Sequence, residues 1–315
     1  MKKHIYVYSP SGAVRDKAAF RRGVKRLKSL GHEVEVDLHA LSSHMRFAGD
    51  DDTRLAAIAR AAASGADVAL ISRGGYGLTR ILDRIDYAAV ARAIENGTQF
   101  VGISDFTAFQ LALLAKTGSV SWAGPALCEG FGAEPVPDDI MEDCFNDLLQ
   151  GQGEGTGWRL PAATRSARPA ATVTPAQEWN IHNATLWGGN LAVLVSLIGT
   201  PYFPNISGGI LFLEDIAEPP YRVERMLCQL LHCGVLSRQK ALLMGQFTDY
   251  KLTPHDKGFN LNGVSQWLRN HVKAPVFSNL PYGHVQTKVL LPVGAKVDMV
   301  VQGRDALVAW GHIHG

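Results

Sequence analysis

The sequence predicts an α/β protein: an N-terminal parallel-sheet domain with flanking helices, followed by a smaller, mainly β C-terminal domain. In the first half, short apolar runs alternate with helical patterns, which is typical of a parallel sheet covered by helices. In the last third, strand-like runs follow one another at short intervals. The length of 315 residues is also more typical of two domains than of one.

The N-terminal half predicts strands and helices in alternation. The first helix is stopped by Gly31, and Asp50 to Asp52 supply the start of the second. Strands are predicted at residues 4–8, 33–38, 68–72 and 98–103, and helices at residues 13–30, 54–63, 106–116 and 138–150. Because ligands of open α/β sheets gather outside the carboxyl ends of the strands, the residues after these strands are the first candidates for a site.

A glycine-rich stretch at 151–157 and a Pro, Ala and Thr-rich segment to residue 175 predict a linker or hairpin region. We therefore expect an α/β domain at 1–150, a linker at 151–178 and a C-terminal domain at 179–315. In the last of these, an apolar helix lies within residues 183–198 and a further helix at 222–232. Strands are predicted at residues 209–213, 241–244, 275–277, 288–291, 296–301 and 306–309.

Composition excludes several classes of protein. With 46% hydrophobic residues, 19% charged residues and a formal charge of +2, the chain gives no electrostatic reason to expect a nucleic-acid partner. No apolar run approaches the ~18 residues of a membrane span, and the first ten residues are too short for a secretory signal. We expect a cytoplasmic protein with no membrane partner. The four cysteines show no metal-binding spacing and are expected to be reduced thiols.

Ser104 lies where a predicted strand gives way to a predicted helix. A serine on such a turn projects its hydroxyl into a crevice, and the N–H groups of the following helix point at any oxyanion formed there. Ser104 is therefore a candidate nucleophile. The alternative is that its side chain caps the helix, which serine does well.

The loop Arg73 to Gly77, with three glycines in five residues, follows another predicted strand. Such glycines indicate positive φ angles or close approach of a ligand to the backbone. The pattern is not a dinucleotide or phosphate-loop motif, so an oxyanion loop or a tight surface turn are the interpretations left open. Arg73 could meet a carboxylate or form a structural ion pair.

Two histidine patterns resemble metal sites. His32 and Glu35 have a spacing found in zinc carboxypeptidases, but strand alternation places residues three apart on opposite faces. His312 and His314 lie at a chain end without an acidic or cysteine partner. We therefore predict no metal and no cofactor.

Glu214 ends an apolar strand, and His284 lies in a loop bounded by proline and glycine. Alone, each is compatible with an ordinary surface position. With Ser104 they supply a nucleophile, an orienting carboxylate and a base in the order Ser, acid, His. The G-x-S-x-G pattern of the α/β-hydrolases is absent from the Ser104 region, and sequence distance says nothing about whether the three residues meet.

Several motifs along the chain together resemble the serine LD-carboxypeptidases. They are the segments at residues 9–12, 46–49, 73–77, 102–107, 187–191, 211–215 and 283–284. The resemblance implies Ser104 as nucleophile, Glu214 as the acid that orients the histidine and His284 as the base. It also implies that the serine lies in an N-terminal α/β domain, the other two in a C-terminal domain, and that the protein is a homodimer.

The activity implied is removal of the terminal D-alanine from murein tetrapeptides in peptidoglycan recycling, through an acyl-enzyme and without a cofactor. The N–H groups of Asp105 and Gly75 are the expected oxyanion donors, and Arg73 is a candidate for the substrate carboxylate. One departure from the family is the segment 159–179, which looks longer than usual and affects domain orientation more than chemistry.

Two other functions stay open. A hydrolase resembling the microcin C self-immunity proteins would use the same triad, and the loops of the substrate pocket would decide between the two. A non-catalytic sugar or nucleotide-binding module would use the N-terminal sheet and the Arg73 to Gly77 loop without any covalent step.

Overall fold

The computed structural model describes residues 2–162 and 178–311. The strands there are β1 (His4–Tyr8), β2 (Glu33–Val36), β3 (Val68–Ile71), β4 (Gln99–Gly102), β5 (Ser121–Ala123), β6 (Gly155–Arg159), β7 (Trp179–Asn190), β8 (Ile210–Ile216), β9 (Ala241–Thr248), β10 (Val276–Phe277), β11 (Leu291–Val293), β12 (Lys296–Gln302) and β13 (Asp305–Ala309). The α-helices are α1 (Lys17–Ser29), α2 (Asp51–Ala63), α3 (Tyr87–Glu95), α4 (Phe106–Thr117), α5 (Asp139–Gln150), α6 (Leu191–Ser196), α7 (Pro220–His232) and α8 (Leu261–His271).

The first sheet has the strand order β11-β5-β4-β3-β1-β2. Strands β1 to β5 pair in parallel, and β11 runs antiparallel to β5 at one edge. Strand β3 is buried at every position, as expected for a strand of a parallel sheet that is covered on both faces. The predicted α/β class of the N-terminal half is confirmed.

The second sheet has the order β10-β9-β8-β7-β12-β13-β6. Strands β7 to β10 pair in parallel, whereas β12, β13 and β6 extend the sheet antiparallel. In β12 and β13 buried and more exposed residues alternate, which is the pattern of a sheet with one face packed on the core. The strand-rich C-terminal region is therefore confirmed.

Helix α4 connects the two halves of the protein. Every residue from Phe106 to Leu114 is buried, and the helix packs against β5 of the first sheet and against β7 and α6 of the C-terminal region. A helix that is apolar on all sides belongs in such a position, because it has no face to offer to water. The residue that precedes α4 by two positions, Ser104, consequently lies at the junction of the two sheets.

Several predicted boundaries are wrong. Residues 155–159 form β6 of the second sheet, although we expected a linker there; their glycines conceal an alternating strand in which Thr156 and Trp158 face inward. The strand predicted at 288–291 begins only at Leu291 and joins the first sheet. The two sheets thus take strands from across the expected boundary, and the division at 151–178 stays a prediction. Helices α3 and α8 and strands β5 and β7 were not predicted.

Helix α1 begins at Lys17, four residues later than expected. The Asp16 carboxylate accepts hydrogen bonds from the N–H groups of Ala18 and Ala19, both at 2.8 Å, and so fixes the start of the helix. Within residues 2–162 and 178–311, no helix has the length and apolar character needed to cross a lipid bilayer.

Candidate active site

Ser104 occupies a strained turn at the carboxyl end of β4. Its φ angle is 68°, in the left-handed region that residues with a side chain rarely adopt. The side chain does not cap α4: Asp105 is the cap residue, and only the Ser104 carbonyl takes part, accepting from Thr107 N–H at 2.9 Å. Strain of this kind is characteristic of nucleophiles on strand-to-helix turns, whereas no capping bond to the Ser104 hydroxyl is present among the described residues.

The glycine-rich loop 73–77 packs directly against this serine. A Cβ atom on Gly74 would lie 2.5 Å from Ser104 Cβ and 2.8 Å from Ser104 Oγ, so no larger residue fits there. Gly75 and Gly77 have φ angles of 116° and 148°. The loop therefore needs its glycines both for close approach to Ser104 and for its own backbone conformation.

The Asp105 side chain joins the loops around the serine. Its carboxylate accepts hydrogen bonds from Ser11 Oγ at 2.5 Å and from Leu78 N–H at 2.9 Å. Burial raises the pKa of Asp105, and these two hydrogen bonds act in the opposite direction. Buried Arg54 supports the same loop by donating to the carbonyl oxygen of Gly77 at 2.7 Å. The Asp105 side chain thus holds the turn in place, and its backbone N–H remains available to a ligand.

The two N–H groups expected to stabilise an oxyanion are those of Asp105 and Gly75. Neither donates a hydrogen bond to any acceptor in the described part of the chain. Both lie on segments that contact Ser104, one next to it in sequence and the other beside Gly74 in the loop. These donors fit the expected role, which stays a prediction.

Glu214 lies at an irregularity in β8. The register of β8 with β9 shifts between Leu213 and Asp215, and such bulges re-aim a side chain relative to a regular strand. The Glu214 carboxylate is fully buried, and its Oε2 atom lies 2.7 Å from His284 Nδ1. A buried charge needs a partner, and the imidazole ring supplies it.

His284 follows Gly283 in the loop between β10 and β11. Gly283 has a φ angle of 142°, and a Cβ there would lie 2.9 Å from the Gln246 carbonyl oxygen and 3.2 Å from Glu214 Oε2. Burial of the His284 ring disfavours its cation, but the hydrogen bond and the charge of Glu214 outweigh burial. The pKa of His284 is consequently raised above its ordinary value.

Asn190 is a site residue to which the sequence assigned no role. It pairs with Glu214 across β7 and β8, and its Nδ2 atom lies 3.3 Å from Glu214 Oε1 and 2.8 Å from Asp215 Oδ1. Burial, followed by the charge of Glu214, raises the pKa of Asp215 to about 6. Asn190 therefore separates and orients two adjacent buried acids. In the sequence, its place in the motif at residues 187–191 was the one signal that pointed to it.

A continuous set of contacts links the two halves at this point. The Asn190 N–H donates to Thr107 Oγ1 at 3.0 Å, and Thr107 is the second residue of the helix that follows Ser104. Asn190 in turn contacts Glu214, which binds His284. Ser104 Oγ and the His284 ring form no hydrogen bond among the described residues. In unliganded enzymes such bonds are often long and tighten when substrate binds.

Arg73 is already engaged. Its Nη1 donates to the Ala13 carbonyl oxygen at 3.4 Å, and its Nε lies 3.7 Å from Glu129 Oε1. The guanidinium also packs against Gly12 and Gly75, where added Cβ atoms would lie 2.5 and 2.8 Å from Nη1. Arg73 therefore supports the glycine-rich loop, and its role toward a substrate carboxylate stays a prediction.

His32 and Glu35 do not come together as metal ligands. Glu35 Oε2 lies 3.0 Å from His4 Nε2, so its partner is not His32. Within residues 2–162 and 178–311, no three histidine, cysteine or acidic side chains are grouped as metal ligands would be. His312 and His314 lie outside the described residues.

Comparison with known proteins identifies two matching family models. Residues 5–124 match the LD-carboxypeptidase N-terminal domain, and residues 183–299 match the LD-carboxypeptidase C-terminal domain. The first contains Ser104, and the second contains Glu214 and His284.

Individual relatives agree with these models over almost the whole chain. The crystal structure of muramoyltetrapeptide carboxypeptidase from Oxalobacter formigenes is 37% identical, covers 98% of this chain and 98% of its own, and superposes with a TM-score of 0.84. A Bacillus subtilis protein named "Probable murein peptide carboxypeptidase" is 29% identical over 290 residues, or 92% of this chain and 86% of the relative.

The microcin C7 self-immunity protein has the same fold. Its structure in complex with aspartyl sulfamoyl adenosine is 22% identical, covers 100% of this chain and 98% of its own, and superposes with a TM-score of 0.84. At this identity the likeness concerns the fold alone.

Proposed function

Because the chain belongs to the LD-carboxypeptidase family and is a serine-type carboxypeptidase, we propose that it removes the terminal D-alanine from murein tetrapeptides. The observation that carries the proposal is the 2.7 Å pair of buried Glu214 and His284, linked through Asn190 to the helix that begins at Ser104. An acid that orients a base is what the activation of a serine nucleophile requires.

The first half of the reaction forms an acyl-enzyme. The Nδ1 atom of His284 is bonded to Glu214, so Nε2 is the ring nitrogen that accepts the Ser104 hydroxyl proton. The Ser104 oxygen then attacks the carbonyl carbon of the amide between the diamino acid and D-alanine. The N–H groups of Asp105 and Gly75 stabilise the oxyanion, while Glu214 stabilises the imidazolium ion.

Collapse of the tetrahedral intermediate breaks the carbon–nitrogen bond. The His284 cation returns its proton to the departing nitrogen, and D-alanine leaves with a free amine. A water molecule, deprotonated by His284, then attacks the ester carbonyl carbon and regenerates the Ser104 hydroxyl. The second product is a murein tripeptide. Each proton taken by the base is returned, so the cycle needs neither metal nor cofactor.

Murein peptides are the substrate class that the relatives support. The Oxalobacter structure is named a muramoyltetrapeptide carboxypeptidase, and the Bacillus protein is named for murein peptides. The identity of 37% to the first exceeds the 22% to the microcin protein, although both have the same fold. We therefore place the microcin-type reaction second.

We further propose that the protein works in the cytoplasm as a homodimer, as the family resemblance implies for an enzyme of peptidoglycan recycling. Light scattering of the purified protein tests the second part: a mass near 68 kDa, twice the 34.1 kDa of the chain, is expected. A monomer at working concentration would contradict it.

A direct assay distinguishes the candidate functions. The purified protein is incubated with a defined murein tetrapeptide and, separately, with an aminoacyl-sulfamoyl nucleotide, and the products are detected by mass. We expect D-alanine and tripeptide from the first and slower or no cleavage of the second. Faster cleavage of the nucleotide conjugate would favour the microcin-type function, and cleavage of neither would favour a binding module.

A further inference from the structure

Lys288 is a buried cation to which the catalytic steps assign no role. The residue is only 3% exposed. In the described part of the chain, its ammonium group has neither an ion-pair partner within 4.0 Å nor a hydrogen-bond acceptor. Its nitrogen is not among the fully enclosed side-chain atoms of the described residues that lack a partner, so the stem of Lys288 is buried while its charged end stays open to solvent and to a ligand.

Lys288 is held on the same loop as the histidine. The loop 281–289 is closed by a hydrogen bond from Val289 N–H to the Pro281 carbonyl oxygen at 2.9 Å. Thr287, next to Lys288, donates to Asp138 Oδ2 at 2.6 Å and so fastens the loop to the N-terminal half. The position of Lys288 relative to His284 is therefore fixed by the backbone and by an anchor on each side.

The charge of Lys288 interacts with the charges of the predicted triad. Its positive charge lowers the pKa of His284, and its own pKa responds to the charges of Glu129, Glu214 and Asp138. Burial is the largest influence and lowers the pKa of Lys288, whereas these carboxylates raise it. A further carboxylate delivered by a ligand would stabilise the ammonium form.

An exopeptidase must recognise the free carboxylate at the end of its substrate, next to the bond that it cuts. Arg73 was the cation expected to do this, but it already faces Glu129 and the Ala13 carbonyl oxygen. Lys288 has no such partner, and a charge-assisted hydrogen bond to a carboxylate is among the stronger interactions available to it.

We propose that the Lys288 ammonium group binds the terminal carboxylate of the residue that the enzyme releases. The assignment rests on the proposed D-alanine carboxypeptidase function and adds the residue that makes the enzyme select chain ends. Lys288 would thereby also position the scissile carbonyl over Ser104, because the carboxylate and that carbonyl belong to adjacent residues of the substrate.

The test compares a tetrapeptide that ends in D-alanine with the same peptide ending in D-alaninamide. Lysine is used as the third residue, because it has no side-chain carboxylate that could bind instead. The variants are Lys288→Met, which keeps the buried stem without its charge, and Lys288→Arg, which keeps the charge. Lys240→Met is the matched control, since exposed Lys240 precedes β9 at the opposite end of the sheet from Glu214.

We expect wild type and Lys240→Met to prefer the acid to the amide. Lys288→Met should lose about 10- to 100-fold in kcat/KM for the acid and far less for the amide, so that the preference disappears. Lys288→Arg should keep part of the preference for the acid. A wild-type enzyme without any acid preference would overturn the assignment even if Lys288→Met failed to fold.

Other outcomes separate this assignment from the function on which it rests. Normal D-alanine release with an unchanged acid preference in folded Lys288→Met would overturn the role of Lys288 alone. A second acid and amide pair, with diaminopimelate as third residue, shows whether Lys288 binds the side-chain carboxylate instead. If Lys288→Met impaired cleavage of that pair alone, the assignment would be overturned too. Failure of wild type to release D-alanine from any of these peptides would overturn both proposals.

Discussion

Replacing Glu214 by glutamine should leave the protein folded and remove most of its activity. The Asn190 side chain donates to Glu214 Oε1, so the glutamine oxygen will face Asn190 and its NH₂ group will face His284. An NH₂ group donates to Nδ1, whereas the carboxylate accepts from it. The ring proton of His284 then moves to Nε2, which can no longer accept the proton of Ser104.

The size of the effect follows from the geometry of the pair. Glu214 is fully buried and lies 2.7 Å from Nδ1, so no water can replace it in orienting the ring. In serine proteases, the corresponding acid-to-amide change costs about 10⁴-fold in turnover through the same tautomer reversal. We expect kcat of Glu214→Gln to fall by about 10³- to 10⁴-fold.

The pH dependence gives a second, independent readout. His284 must be neutral to act as base, and Glu214 holds the pKa of His284 above its ordinary value. The acidic limb of kcat/KM for wild type should therefore lie above the ordinary histidine pKa of about 6.5. Without the Glu214 charge the imidazolium form is less stable, so the limb of any residual activity should move to lower pH.

The assay is the steady-state release of D-alanine between about pH 5 and pH 9, where histidine titrates. Glu33→Gln serves as control: this exposed acid at the start of β2 forms an ion pair with Lys2, and its replacement removes the same charge far from the site. A Glu214→Gln enzyme with near-normal kcat and an unmoved acidic limb would refute the proposed role of Glu214.

Two further substitutions test the packing against Ser104 and the stability of the fold. Gly74→Ala places a Cβ 2.5 Å from Ser104 Cβ and should abolish most activity, whereas Gly263→Ala on α8, where nothing lies within 4 Å, should not; D-alanine release by both variants checks this. Asp37→Ala should reduce the free energy of unfolding by about 2 kcal/mol in urea titrations, because Arg60 loses two hydrogen bonds but keeps some contact with water. Burial raises the pKa of Asp37, but its hydrogen bonds with Arg60 outweigh burial and lower the pKa overall. The stability that Asp37 contributes to the wild-type protein should therefore be lost as pH falls. Equal stability of the two proteins at neutral pH would contradict this prediction.

The strongly apolar strands β1, β3 and β4 could be predicted, because continuous burial on both faces leaves a run of apolar residues in the sequence. Strand β5 has three residues, too few for a pattern to emerge. Strands β6 and β7 contain glycines that resemble turns, but in β7 Gly188 has a φ angle of 141° and no room for a side chain, since a Cβ would lie 1.9 Å from the Phe212 carbonyl oxygen. Such close packing is a tertiary property that no local pattern records.

In the candidate site too, local sequence patterns predicted some features, whereas others depend on tertiary packing. Residue types and motifs identified Ser104, Glu214 and His284, but the distance between the last two is set by a bulge in β8 and by the loop 281–289. The part played by Asn190 depends on pairing between β7 and β8, which the sequence alone does not reveal. Lys288 was expected in a strand, and only its burial without a partner draws attention to it.

The central claim is that Ser104 carries the covalent step, and one comparison tests it most directly. D-Alanine release from a defined murein tetrapeptide is measured by mass for wild type and for Ser104→Ala, with folding of both checked by circular dichroism. The loss of a single oxyanion donor costs about 100- to 1,000-fold in turnover, so loss of the nucleophile should cost at least that much. Near-normal release by a folded Ser104→Ala protein would contradict the claim.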